Sequence, residues 1–362
     1  MDNVFEELSF GESFDIIKSQ AGFEIVPCDE TLDLTDQSKF SKLELSSGQK
    51  MQVSALTQQM PATLASGTLA KSYRVSFPDG VPHTLTRLKQ GGFGSMVRDT
   101  NGKFIGSASF YSTAAQAAAL GAFSAMSAAS GQYFLTQINN ELKLVNTQID
   151  KILEFLYGDK KAELMSEISF VQFAYKNYSS IMSHEDQRVA TISGIQEARK
   201  IAMKDVEFYL NDLDSTIKSE AKSYLDIKKN LEKAVQIKDS LEMSEQLYVM
   251  GNILEMYFAQ NTDETYIKFL EETMTAYVSK CNNYVSSYFS TLKGQITGYK
   301  PKTPLEKVNK APEEEKVDEI IEPLKRGEES IMHKAIHTAL HSFEKKKDYY
   351  IDTKGNVYLK AI

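Results

Sequence analysis

The residues best suited to chemistry are three histidines near the C-terminal end of the chain. His333, His337 and His341 recur at every fourth residue, so a helix would place them on one face. Two imidazoles at this spacing can bind one zinc or other transition-metal ion, with a third ligand from elsewhere. Lys334 stands where a zincin helix would carry its catalytic glutamate. We therefore expect a polar row beside an apolar stripe, with a metal-dependent enzyme as an alternative.

Outside this histidine row, the sequence carries no familiar catalytic pattern. It contains no Walker A, GxSxG, HExxH or EF-hand motif. The stretch 90–97 is glycine-rich like a kinase phosphate loop, but no HRD-like or DFG-like segment accompanies it. Cys28 and Cys281 belong to no metal-binding or redox spacing, which indicates small buried residues in a reducing compartment. We expect no catalytic residue and no cofactor, and the sequence favours a protein that is not an enzyme.

The overall negative charge argues against a nucleic-acid partner. The 362 residues include 41 Lys+Arg and 49 Asp+Glu, for a net charge of −8. A dedicated nucleic-acid-binding protein needs a basic surface that neutralises phosphates, so we expect no nucleic-acid partner. The chain begins with acidic residues where a secretory signal would have a basic head, so we expect a cytoplasmic protein.

The most unusual segment of the chain has no charge at all. From Phe104 to Asn140, 37 consecutive residues are uncharged, although 25% of the whole chain is charged. Within it, residues 113–135 are long enough to cross a bilayer, but their Ala and Ser content contributes little to insertion. Small residues recur on one predicted helix face at Ala117, Gly121, Ala125 and Ala129. Such a face lets helices approach closely in a soluble bundle, in a self-associated complex or in lipid.

A heptad pattern of apolar residues, which we call the heptad seam, follows this segment, with spacings that alternate between three and four residues. Its positions are Leu135, Ile138, Leu142, Val145, Ile149, Ile152 and Leu156. A second stripe comprises Leu164, Ile168, Val171, Tyr175, Tyr178 and Met182. Leucine at most a positions and β-branched residues at d favour three or four packed helices over a two-stranded coil. From Gln187 to Lys238 the pattern fits one long helix or two, with Gly194 as a candidate break.

Two hairpin signals lie far apart in the chain. Asn101-Gly102 separates two apolar segments, and Asp352–Gly355 separates Tyr349–Ile351 from Val357–Leu359. An isolated two-stranded hairpin is marginally stable in water, so we expect the C-terminal hairpin to join the N-terminal sheet. The predicted fold is mainly α, with a β-rich (α+β) N-terminal domain, an elongated helical bundle and this C-terminal hairpin.

Changes in composition divide the chain into four predicted parts. Residues 1–111 form the β-rich domain, residues 112–297 form the Ala-rich segment and helical bundle, residues 298–314 form a linker, and residues 315–362 form a helix and the hairpin.

These features favour a non-catalytic helical-bundle interaction protein. It would self-associate through the small-residue helix face and the heptad seam, so its partner would be a second copy or another protein. An alternative is a membrane-active effector of the pore-forming type. In that case residues 113–135 would insert into a bilayer after a conformational change, and the cytoplasmic protein would become membrane-associated on activation.

Overall fold

The computed structural model describes residues 24–28, 32–57, 72–76, 86–87, 93–98, 104–110, 114–142, 152, 156, 158–219, 221–261, 263–301, 308–326, 330–344 and 348–360. This part of the chain is mainly α with a small β part, as the sequence predicts. The helices are α1 (Ser47–Thr57), α2 (Ala114–Leu142), α3 (Gly158–Lys176), α4 (Tyr178–Ile181), α5 (Glu185–Lys218), α6 (Tyr224–Ala259), α7 (Glu264–Gly298), α8 (Ala311–Lys325) and α9 (Ile331–Glu344). The strands are β1 (Glu24–Pro27), β2 (Phe40–Lys42), β3 (Ser72–Ser76), β4 (Thr86–Arg87), β5 (Phe93–Arg98), β6 (Phe104–Phe110), β7 (Asp348–Asp352) and β8 (Val357–Lys360).

The larger sheet joins segments from both ends of the sequence. Its strand order is β1-β3-β7-β8-β2, and every neighbouring pair is antiparallel. Ile351 of β7 lies opposite Tyr73 of β3 on one side and Val357 of β8 on the other. Gly355 takes a φ of 75° in the turn before β8, a conformation that favours glycine. The prediction that the C-terminal hairpin joins the N-terminal sheet is therefore confirmed.

A second sheet has the order β4-β5-β6 and is also antiparallel. Strands β5 and β6 pair from Phe93 opposite Phe110 to Arg98 opposite Phe104, with an irregularity at Val97/Arg98. This pairing confirms the first hairpin signal, although its Asn101-Gly102 turn lies outside the described residues.

The chain divides into two compact units. Unit 1 contains the described residues within Met1–Phe134, Tyr178–Ser183 and His341–Ile362, and unit 2 contains those within Leu135–Asn177 and His184–Leu340. In unit 1, the Tyr349 hydroxyl hydrogen-bonds the Ser130 hydroxyl of α2 at 3.0 Å. The Phe40 and Tyr350 rings of the larger sheet meet edge to face, 5.0 Å between centroids. These contacts tie the first half of α2 and the sheet into one core.

In unit 2 the central helix is α6, which packs against α3, α5 and α7. Every residue from Leu247 to Leu254 is buried, and a helix covered on all sides belongs to a core. The helix begins with a capping box in which Ser223 and Asp226 each bind the other's backbone N–H. The central helix of this bundle is therefore α6 and not the Ala-rich helix α2.

The segment 187–238 forms two helices, and Gly194 is not the break. α5 continues to Lys218, and α6 begins at Tyr224 after the capping residue. A Cβ atom on Gly194 would collide with the ring of Phe170 in α3. The glycine therefore lets α3 and α5 approach closely instead of ending a helix.

Helix α8 begins inside the stretch predicted as a linker. Its first turn contains Pro312, which is compatible with a helix start because the first backbone N–H groups need no intrahelical partner. Lys293 of α7 binds both carboxylate oxygens of Asp318 in α8, at 2.6 and 2.7 Å. Residues 302–307 lie outside the described part of the chain.

Candidate functional site

The histidine row lies on α9, as its spacing predicts, but its first member contacts hydroxyl groups. The Nδ1 atom of His333 is 2.8 Å from the Ser330 hydroxyl, and its Nε2 atom is 3.3 Å from the Ser279 hydroxyl of α7. His337 is exposed on the same helix, and only the backbone of His341 is described. Among the residues that the structure describes, no group of three His, Cys, Asp or Glu side chains converges as metal ligands would. The arrangement gives His333 a helix-packing role.

The small-residue face of α2 is covered within unit 1. Gly121, Ala125 and Ala129 are all buried, and only the backbone of Ala117 is described. A Cβ atom on Gly121 would lie 3.4 Å from Cδ of Gln52, so α1 covers this face. In the described part of the chain, no helix has the length and hydropathy needed to cross a membrane.

The heptad seam is buried wherever its side chains are described. Leu135, Ile138 and Leu142 are fully buried in the second half of α2. Ile152 and Leu156 are also buried, whereas Val145 and Ile149 lie outside the described residues. In the second stripe, Leu164, Ile168, Val171, Tyr175 and Tyr178 are all buried, whereas Met182, after the end of α4, is partly exposed.

The outward side of α3 carries no charged residue between Ala162 and Phe173, and the exposed Lys176 ends it. Every side chain from Lys160 to Phe173 is described, and the exposed ones form what we call the α3 outer face: Ala162, Met165, Ser166, Ser169 and Phe173. Met165 is 46% exposed and Phe173 is 53% exposed. The solvent side of a bundle helix normally carries charged residues, so this face differs from the usual pattern.

The neighbouring helices show the usual pattern. The exposed residues of α5 include Glu197, Lys200, Lys204 and Glu207. Those of α7 include Glu264, Lys268 and Glu272, and Glu272 lies three residues after the exposed Phe269. An exposed phenylalanine is therefore not peculiar to α3: Phe269 has the exposed Glu272 three residues after it, and Phe173 has the exposed Lys176 at the same spacing.

The inward side of α3 carries the opposite anomaly, a buried carboxylate. Glu167 is 4% exposed, and neither of its carboxylate oxygens has a hydrogen-bond partner among the described groups. Burial, together with the nearby carboxylates of Asp205 and Glu163, raises the pKa of Glu167 to about 8. Glu167 is therefore predominantly protonated and neutral near pH 7.

Asp205 on α5 completes this buried polar cluster. It is fully buried and binds the ammonium group of Lys160, which also binds Glu163 at 2.7 Å. Burial raises the pKa of Asp205, while the hydrogen bond from Lys160 opposes that shift. Its second oxygen and the hydroxyl of Tyr209 have no partner among the described groups. Such a cluster costs stability relative to an apolar contact, which makes it notable between two packed helices.

Helix α3 thus buries a carboxyl group that has no hydrogen-bond partner among the described groups, and it exposes apolar side chains. Its apolar stripe was predicted correctly from the sequence, but neither Glu167 nor the α3 outer face was identified as a feature. The available signal was the run of Ala, Met, Ser and Phe at positions outside the stripe, where a bundle helix normally has Lys or Glu.

A second buried acid lies between α6 and α7. Glu245 is 2% exposed, and Cys281 of α7, 1% exposed, donates its thiol hydrogen to the Glu245 carboxyl. Burial raises the pKa of Glu245 to about 8, and it raises the pKa of the Cys281 thiol far above its usual value. The thiol is therefore protonated and inert, as expected of a structural cysteine.

No protein-family model, curated protein or solved structure matches the chain.

Proposed function

We propose that this chain is a non-catalytic helical interaction protein that self-associates through the α3 outer face. The observation that carries the proposal is that the exposed residues from Ala162 to Phe173 carry no charge and include two large apolar side chains, Met165 and Phe173. The centre of a protein–protein interface is depleted in charged residues and enriched in aromatic residues and methionine. The α3 outer face has that composition.

The position of this face supports α3 over the Ala-rich helix as the contact. Gly121, Ala125 and Ala129 are buried in unit 1, so contact or insertion through them would first require α2 to leave its packing. The α3 outer face needs no such rearrangement because its side chains are already exposed. Two copies each carry a net charge of −8 and repel one another, and a contact without charge adds no local repulsion.

The experiment is sedimentation velocity over a range of protein concentrations. We expect a monomer–dimer equilibrium for the unmodified chain. Phe173→Glu should shift that equilibrium toward monomer by at least tenfold, because it places a carboxylate in the contact of both copies. Phe269→Glu is the matched control, since Phe269 is 63% exposed but lies on a different helix, α7. A strict monomer at all concentrations, or equal weakening by both variants, would contradict the proposal.

A further inference from the structure

We infer that helix α8 is a releasable strap: it detaches as one unit from α6 and α7 while those helices stay folded, and ionic strength controls the detached fraction. All three helices belong to unit 2, so the inference does not depend on self-association. Three features of α8 carry it. The helix buries few apolar side chains, it has a high negative charge, and partly exposed ion pairs attach it to its neighbours.

Few apolar contacts hold α8 in place. All residues of Ala311–Lys325 are described, and among them Val317 and Ile321 are the buried ones. α7, by contrast, buries a residue in every turn from Ile267 to Ile296. Pro323 lies inside α8, where its missing N–H removes one backbone hydrogen bond. A helix of this length is marginal in water by itself, so α8 stays helical because it is docked.

The charge of α8 opposes its docking at long range. The fifteen residues include six Asp or Glu and two Lys, for a net charge of −4, which is half of the −8 of the whole chain. The rest of the protein is therefore acidic as well, and it repels this helix. Basic groups directly beside α8 have to offset that repulsion.

Two lysines of the neighbouring helices provide those groups. Nζ of Lys228 on α6 lies 2.8 Å from one carboxylate oxygen of Glu313, and the other oxygen accepts a hydrogen bond from the Tyr224 hydroxyl at 2.8 Å. Nζ of Lys293 on α7 binds both oxygens of Asp318, at 2.6 and 2.7 Å. The lysine side chains are 42% and 35% exposed, respectively, so water and salt reach both pairs.

This exposure makes the attachment sensitive to salt. The Debye length falls from about 8 Å at 0.15 M salt to about 3 Å at 1 M, which is close to the length of the ion pairs themselves. Release would uncover the surface against which Val317 and Ile321 pack, and it would leave Lys228 and Lys293 unpaired beside that surface. The strap therefore couples ionic strength to the exposure of an apolar surface that has a basic border.

Hydrogen exchange of the full-length chain tests the strap, with measurements at about 0.05 M and about 1 M KCl. The backbone amides of α8 should exchange about tenfold faster at the higher salt concentration, because release of the helix exposes them to water. Those of α6 should change by less than about twofold, since that helix stays packed against α3, α5 and α7.

A variant of one lysine tests the ion pairs. Lys293→Met removes the charge but keeps an unbranched side chain, and at low salt it should accelerate exchange of α8 by about tenfold. Lys280→Met is the matched control, because Lys280 is also on α7 but pairs with Glu207 of α5. Reversing the pair, with Lys293→Asp and Asp318→Lys in one chain, should restore slow exchange.

Three results would overturn the inference. If α8 and α6 exchange faster together, α8 opens only when unit 2 unfolds and there is no separate strap. If neither salt nor Lys293→Met accelerates exchange of α8, apolar contacts hold the helix and ionic strength does not release it. Equal acceleration by Lys280→Met would show that the ion pairs of α8 are not the cause.

Discussion

Two buried glutamates, Glu167 and Glu245, make the stability of unit 2 depend on pH. Each pKa is raised from 4.5 to about 8 in the folded protein, chiefly by burial. A carboxyl whose folded pKa exceeds its unfolded pKa binds more protons in the folded state at intermediate pH. Its contribution is therefore most favourable below pH 4.5 and is lost progressively as the pH rises through about 8.

Glu245 allows the cleaner test because its carboxyl accepts a hydrogen bond from Cys281 that an amide oxygen can also accept. Glu245→Gln should unfold at nearly the same urea concentration as the unmodified chain at pH 5. At pH 9 the variant should be the more stable, by up to about 5 kcal/mol, since the shift of 3.5 pH units no longer applies. The exposed substitution Glu272→Gln should leave the difference between the two pH values unchanged. A variant that loses as much stability as the unmodified chain between pH 5 and pH 9 would contradict the assignment.

The sequence patterns do not predict that these two acids are buried. The apolar stripes of α3 and α6 were predicted from their periodicity, because that period follows from the geometry of a single helix. Glu167 interrupts its stripe as a charged residue, and a charged residue is normally placed on the solvent side. Its burial results from α5 covering that side of α3, which depends on residues about 40 positions away.

At the scale of helices, packing of α3 on α5 depends on a glycine that the sequence suggested as a break. Gly194 leaves room for the Phe170 ring, so Gly194→Ala should destabilise unit 2 by about 1–3 kcal/mol through overpacking. Gly294 of α7 is the matched control because no atom lies within 4 Å of the position of its Cβ. Gly294→Ala should stabilise the protein by about 0.5–1 kcal/mol, since alanine loses less backbone entropy in a helix. Urea unfolding of both variants measures these opposite signs, and destabilisation of equal size by both would contradict the packing role.

The actual break before α6 was visible in the sequence, but a different cue was needed. Ser223 and Asp226 have the spacing of a capping box. Such a capping serine is a more specific signal for the start of a helix than a glycine is for its end. The predicted linker over 298–314 overlaps the start of α8 for a related reason, because it includes Pro312, although proline is well suited to a first helical turn. The exposed side of α3 could not be assigned because periodicity alone does not show which neighbours cover a helix.

At the scale of the whole molecule, the two ends of the chain meet in one sheet. Strand β7 has a neighbour on each side, β3 from the N-terminal region and β8 from its own hairpin. The pairing was predicted because a free hairpin gains too little from two strands, so a further sheet must complete it. The order of the strands was not predictable, since the two hairpin signals contain nothing that specifies which edge each strand joins.

The position of β7 leads to a prediction that separates the two units. Ile351→Pro should abolish pairing around the middle of β7, because proline lacks the backbone N–H and its ring fits poorly in a central strand. Hydrogen exchange should then show loss of protection in β3 and β8. Protection in α6 should persist, since its packing partners α3, α5 and α7 all belong to unit 2. Ile351→Val, which keeps the N–H and most of the side chain, should leave both patterns nearly unchanged. If β3 stays protected in the proline variant, the C-terminal hairpin is dispensable to the sheet; if α6 loses protection too, the units unfold as one.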